Sequence, residues 1–119
     1  MDITPELHES APLISRYGGG GFVVAGHRHD GNVLVHLQGA QACDGISLEA
    51  LNPLLQTEEP PELILFGTGA QMQMLSKDIK TALENHGIAY DTMDTGAACR
   101  TFNILLQEER RVAAVLNAV

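Results

Sequence analysis

Residues Leu63 to Ala70 read LILFGTGA, and residues Ile88 to Ala97 read IAYDTMDTGA. Each passes from an apolar run into Thr-Gly-Ala and then into a segment of helical periodicity, which predicts strand, tight turn and helix. The unbroken apolar residues Leu63 to Phe66 suit a central strand buried on both faces. Thr68 and Thr95 stand 27 residues apart, about the length of one helix and one return strand in a βαβ unit. Parallel neighbours are therefore expected, with the two turns side by side at their carboxyl ends. Open α/β sheets usually place their sites there.

Beyond the first turn, Met72, Leu75, Ile79, Ala82 and Leu83 recur at helical spacing, and Gly87 is the expected stop. Beyond the second, Ala98, Phe102 and Leu105 or Leu106 face inward. The C-terminal stretch has two readings: one long helix from Ala97 to Val115, or a helix ending near Gln107 to Glu109 and a closing strand from Val112 to Leu116. Periodicity alone leaves both open.

Upstream, Thr57 to Glu62 (TEEPPE) is a proline-stiffened connection, and Ser47 caps a helix lined by Leu48, Leu51 and Leu55, with Pro53 near its start. From Ala11 to Gly45, short β-type runs alternate with glycine. Ile14 to Tyr17, Phe22 to Ala25 and Val33 to Leu37 read as a meander, with Gly18 to Gly21 as a hairpin loop and Asp30-Gly31 as a turn. Strand alternation sets Val33, Val35 and Leu37 against Leu34 and His36, and a further short strand fits within Gln38 to Gly45. A phosphate-cradling glycine loop would lead into a helix; here Phe22 to Ala25 lead into a strand. Met1 to Ser10 reads as a loose arm.

At 119 residues and 45% hydrophobic content the chain is expected to form a single domain, 1–119, with one real core. A net charge of -8 argues against general binding to nucleic acid or to anionic membranes, which needs clustered Lys and Arg. No apolar stretch reaches the length of a membrane span, and the N-terminus lacks the order of a signal peptide, so a cytoplasmic location is expected. Cys43 and Cys99, with 55 residues between them, match no zinc or thioredoxin spacing and read as free thiols.

In context, Glu62-Leu63-Ile64-Leu65-Phe66-Gly67-Thr68-Gly69, the run from Met93 to Leu105 (MDTGAACRTFNIL) and Arg111-Val112-Ala113-Ala114 resemble a family of small uncharacterised domains. The similarity extends over most of the chain from about Ile14. That family includes bacterial and archaeal proteins of unassigned activity, a mitochondrial assembly factor of respiratory complex I and an adipogenesis-associated cytoplasmic protein. The resemblance implies an α/β fold in three layers: a mixed central sheet, helices on its faces and a small antiparallel β-layer to one side. It also favours helix then strand at the C-terminus, with that last strand antiparallel to its neighbours. For function it implies an assembly or interaction role.

The candidate site is the pair of turns: Gly67, Thr68, Gly69 and Ala70 with Asp94, Thr95, Gly96, Ala97 and Arg100. Two readings compete. Two converging helix N-termini could hold a small anion, helped by Arg100 one helical turn on. Alternatively Thr68 and Thr95 cap their helices while the glycines permit the turns. Asp91 falls near mid-strand and Glu62 at the far end, so Asp94 is the carboxylate best placed. His27, His29 and His36 could approach one another across the Asp30-Gly31 turn as zinc ligands, but exposed strand histidines explain them as well. Cys99, with no base placed beside it, reads as a structural thiol, and Met72 and Met74 as helix core. No catalytic residue, metal or cofactor is assigned. The expected function is a non-catalytic binding or assembly module with a protein partner; the alternative is a phosphate or carboxylate binder, or an enzyme, using the paired turns.

Overall fold

The LILFG run forms the strand on which the rest of the molecule is stacked. The computed structural model describes residues 11–119. In chain order the elements are β1 (Ile14–Gly18), β2 (Gly21–Val24), β3 (His27–Asp30), β4 (Val33–His36), β5 (Gly39–Ala42), α1 (Leu48–Leu55), β6 (Leu63–Gly67), α2 (Lys77–Asn85), β7 (Ala89–Met93), α3 (Thr95–Gln107) and β8 (Val112–Leu116). The expected arm at Met1 to Ser10 lies outside the described residues.

The strands form two sheets, a central one in the order β5-β4-β8-β6-β7 and a small one in the order β1-β2-β3. β6 runs parallel to β7 on one side and to β8 on the other. β4 is antiparallel to both β8 and β5, so the central sheet is mixed. The C-terminal ambiguity resolves as helix then strand. The orientation of that strand corrects the expectation, because β8 is antiparallel only to β4 and pairs in parallel with β6 from Leu63↔Val112 to Gly67↔Leu116. The 13 residues of α3 account for this. At about 1.5 Å per residue they carry the chain back along a full strand length, so β8 starts at the same end as β6.

Strand alternation divides the core into two. Leu34, Ile64, Phe66, Ala113 and Val115 pack under α1 and α2, with Leu51, Leu54, Ile79 and Leu83. Val33, Val35, Leu65, Val112, Ala114 and Leu116 face the other way, onto Phe102 and Leu106 of α3 and onto Ile14, Phe22 and Val24 of the small sheet. The result is the three-layer α/β arrangement. Each fully buried Phe or Leu contributes about 1.5–3 kcal/mol through removal of apolar surface from water.

Several local expectations give way to tertiary context. The meander's third strand is β3 rather than Val33 to Leu37, which supplies β4 of the central sheet; Asp30-Gly31 is the step by which the chain leaves the small sheet for β4. Leu37 lies in the β4–β5 turn, 52% exposed, rather than in the core. In α1, capped by the Ser47 hydroxyl accepting from the Ala50 N–H, Leu48 is exposed and Ala50, Leu51 and Leu54 are buried. The largest difference concerns α2. It begins at Lys77, capped by Ser76, so residues 70–76 form a loop and Met72 and Met74 stand 53% and 72% exposed instead of filling the core.

Both longer helices stop in the same way, for reasons unequally visible in sequence. At the end of α2 the Gly87 N–H donates to Glu84 and the Ile88 N–H to Leu83, a Schellman motif with Gly87 at φ +67°. At the end of α3 the Glu109 N–H donates to Leu106 and the Arg110 N–H to Leu105, with Glu109 at φ +60°. Glutamate there bears a left-handed conformation that costs about 1 kcal/mol outside glycine. Glu109→Gly should therefore raise stability by about 0.5–1 kcal/mol, seen as a Tm higher by roughly 3–6 °C; an unchanged or lower Tm would contradict the motif.

Candidate functional site

The two Thr-Gly-Ala turns meet at the carboxyl ends of β6 and β7, as their spacing predicted, and the end of β8 joins them. Gly67 closes β6, and its carbonyl accepts from the Asn117 N–H at 2.8 Å. A Cβ on Gly67 would lie 2.9 Å from Leu116 Cδ2 and 3.0 Å from Thr95 Cα, so this glycine is required for close packing rather than for an unusual φ. Gly69, at φ +106°, and Thr95 exchange backbone and side-chain bonds: the Thr95 N–H donates to the Gly69 carbonyl at 2.8 Å, and the Gly69 N–H donates to Thr95 Oγ1 at 2.9 Å.

Neither threonine caps a helix. Thr95 is the first residue of α3 and fully buried, and its hydroxyl donates to the Asn117 carbonyl at 2.7 Å. It thus ties the β6 turn to the end of β8. Thr68, 8% exposed, donates to the Gln71 carbonyl at 2.7 Å and accepts from the Gln73 N–H at 2.9 Å, which pins the loop between β6 and α2. Both hydroxyls are spent on the fold. The cap of α3 is Asp94, which accepts from the Ala97 N–H at 2.9 Å and sits where the helix partial charge favours a carboxylate. Because α2 starts seven residues after Ala70, a single helix N-terminus reaches the turns, not two. Ala70 itself is exposed at the head of the loop.

On the outer side, Arg100 is exposed and its Nη1 donates to the Tyr17 hydroxyl at 2.9 Å. Tyr17 in turn lies on Gly96, where an added Cβ would approach its hydroxyl to 2.7 Å. Gly96 is therefore the seat of an aromatic side chain. The remaining candidates stay apart: Asp91 is exposed, Glu62 pairs with Arg110 at 2.8 Å at the opposite end of β6, and β3 with its histidines belongs to a different sheet from His36. Among the described residues no group of three His, Cys, Asp or Glu could hold a metal ion.

Sequence reasoning missed Asn32 and Asn117, which bracket β4 and β8 at the same end of the sheet. Asn32 Oδ1 accepts from the Ala118 N–H at 2.7 Å. Asn117 Oδ1 is buried with no hydrogen-bond partner among the described residues. It borders a cavity of about 430 Å³ lined also by Asn32, Thr68, Met74 and Ser76. Asparagine directly after a strand was the available signal. It carries weight only once β8 is known to lie beside β6.

Cys99 is 1% exposed, and burial pushes its thiol up to about 12, against the weaker lowering influence of Arg100. Such a thiol is not a nucleophile at neutral pH. Cys43 is half-buried and its thiol is also raised, chiefly by burial. Iodoacetamide should therefore modify Cys43 alone in the native chain, faster as the pH rises, and reach Cys99 only after unfolding. Labelling of Cys99 in the folded protein at pH 7, read by mass spectrometry, would contradict that placement. Because folding raises the Cys99 pKa, its contribution to stability is intact below the unfolded thiol's pKa and is lost as pH climbs toward about 12.

The chain is similar to an uncharacterized protein of Rhodobacter capsulatus, 38% identical over 104 residues that span 87% of this chain and 82% of that one. It is also similar to NADH dehydrogenase [ubiquinone] 1 alpha subcomplex assembly factor 3 of Bos taurus, 31% identical over 118 residues, 92% of this chain. The match spans 64% of the length of that assembly factor and 41% of the Danio rerio protein of the same name. Among solved structures, a crystal structure described as an outer membrane protein from Bartonella henselae superposes with a TM-score of 0.87, at 36% identity, over 93% of this chain and 98% of that one. Among the described residues of the present chain, no helix is long and apolar enough to cross a membrane. A family profile described as a protein of unknown function matches residues 14–117, and the chain accordingly belongs to that family, DUF498/DUF598.

Proposed function

We propose that this domain is a non-catalytic protein-binding module with an assembly-type role, and that residues 70–76 form part of its contact surface. Kinship with the complex I assembly factors supports the role. The observation that carries the surface is the loop itself. Met72 and Met74 are held 53% and 72% exposed on a segment whose base is pinned by the Thr68 hydroxyl. Methionine is adaptable apolar surface of the kind that binding interfaces use, and a fixed base limits the entropy lost on docking. The cavity beside Met74 is lined also by Gln73 and Ser76, polar groups next to that apolar surface. Thr95 is fully buried and acts on a partner only through the fold, whereas exposed Arg100 can touch one. The two free thiols are consistent with a cytoplasmic setting.

A photo-crosslinking amino acid at Met74, compared with one at exposed Glu84 on α2, tests the reading in the cells that make this chain. A discrete protein adduct at Met74, absent at Glu84 and lost when Met72 is also changed to Ser, is expected. Equal adducts at both positions, or none at Met74, would remove the loop as the contact surface.

A further inference from the structure

The chain carries 15 acidic residues against seven Lys and Arg, yet three of its arginines line one cleft. The cleft lies between β1 and the first turns of α3, has a volume of about 480 Å³, and is lined by Arg16, Arg28 and Arg100 together with Tyr17, Asn103 and the Cys99 floor. Among the described residues no Asp or Glu lines it. Local sign and global sign are opposed, which surface solvation alone does not call for.

Two of the three arginines, Arg28 and Arg100, are held by side-chain hydrogen bonds. Arg16 and Arg28 stand opposite the same residue, Val23, in the small sheet, and so share one face. Arg28 crosses bare Gly21, where a Cβ would approach its Nη2 to 2.8 Å, and donates from Nη2 to the Gly19 carbonyl and from Nε to Asp30 Oδ1, both at 3.0 Å. At Gly21 an added Cβ would first meet the His29 carbonyl, so backbone packing as well as the guanidinium keeps that position bare. Arg100 is oriented by the Tyr17 hydroxyl, itself seated on Gly96. Among the described residues neither Arg16 nor Arg100 enters a salt bridge.

We propose that this cleft binds a small ligand bearing at least two negative charges on phosphate or carboxylate oxygens. Guanidinium forks match both groups in bidentate geometry, and Arg100, already oriented by Tyr17 and outside any salt bridge among the described residues, loses little freedom on binding. The volume falls within the range of about 300–1,000 Å³ found for small-molecule sites. The cleft shares Arg100 with the candidate site at the turns, but neither Thr68 nor Thr95 lines it.

The test is calorimetric titration of the purified chain at low salt with pyrophosphate and with citrate, alongside amide spectra. Saturable one-to-one binding of at least one probe is expected, with shifts at Tyr17, Gly19, Arg28 and Arg100; the tighter probe identifies the ligand as phosphate or carboxylate. Arg16→Gln and Arg100→Gln should each weaken binding about tenfold, the size of one charge-assisted contact, while Arg111→Gln, an equal charge change elsewhere, leaves it unaltered. Arg16→Lys keeps the charge without the fork and should fall between, which separates a binding role from a purely electrostatic one. Failure of both probes to saturate by about 10 mM, or an equal loss in Arg111→Gln, would overturn the proposal.

Discussion

Replacing Thr95 with valine is expected to destabilise the protein by about 2–4 kcal/mol although the side-chain volume barely changes. The substitution removes both a donor and an acceptor from a fully buried position. It leaves the Gly69 N–H and the Asn117 carbonyl without their partners. Each orphaned buried group costs about 1–3 kcal/mol, more than the small gain from burying another methyl. Thr95→Ser retains the hydroxyl and should cost about 1 kcal/mol for the lost methyl contacts. Urea unfolding of the two variants is decisive in their order. If serine proved as harmful as valine, packing rather than hydrogen bonding would hold the three strand ends together.

An effect at least as large, about 3–5 kcal/mol, is expected for Phe102→Ala. Phe102 is fully buried on the face of α3 that packs both on the central sheet and on the small β-layer. On the adjacent residue, the Asn103 side chain accepts from the Ile14 N–H at 2.9 Å and donates to the Ile14 carbonyl at 2.8 Å, clamping the edge of β1. Loss of the ring removes the apolar half of that attachment. Hydrogen exchange should consequently accelerate at β1 and β2 before β6, because β6 retains β7 and β8 on either side. Uniform acceleration across both sheets would mean that the β-layer has no separate stability. A total loss below about 2 kcal/mol would place Phe102 outside the main core.

The Glu62 and Arg110 pair illustrates a weaker class of contact. The hydrogen bond from Arg110 lowers the Glu62 pKa, so its small contribution exists above the carboxyl's unfolded pKa and disappears as pH falls. Both groups are solvent-exposed, and screening leaves this pair a minor part of stability.

How far the chain could be read without coordinates depended on whether each signal was local. Leu63 to Phe66 announced a strand buried on both faces, and that alone implied covering layers. Gly87 announced the end of α2 because a left-handed residue at that position is usually glycine. The same motif ends α3 with Glu109, so the junction between α3 and β8 could not be read from residue type. Helical spacing from Met72 onward was equally misleading, since Ser76 caps the helix and Thr68 holds the preceding loop open.

The candidate site divides along the same line. Composition, the two strand-turn repeats and their spacing determined by themselves that Thr68 and Thr95 would lie together, because a βαβ unit leaves its turns nowhere else. Only the tertiary structure decided what those residues do. The order of strands in a sheet is set by packing among distant segments, and it brings Asn117 from the C-terminus under Thr95. It likewise gathers Arg16, Arg28 and Arg100 into one cleft from three separate elements. No periodicity records such neighbours, since the contacts arise from burying two faces of one sheet at once.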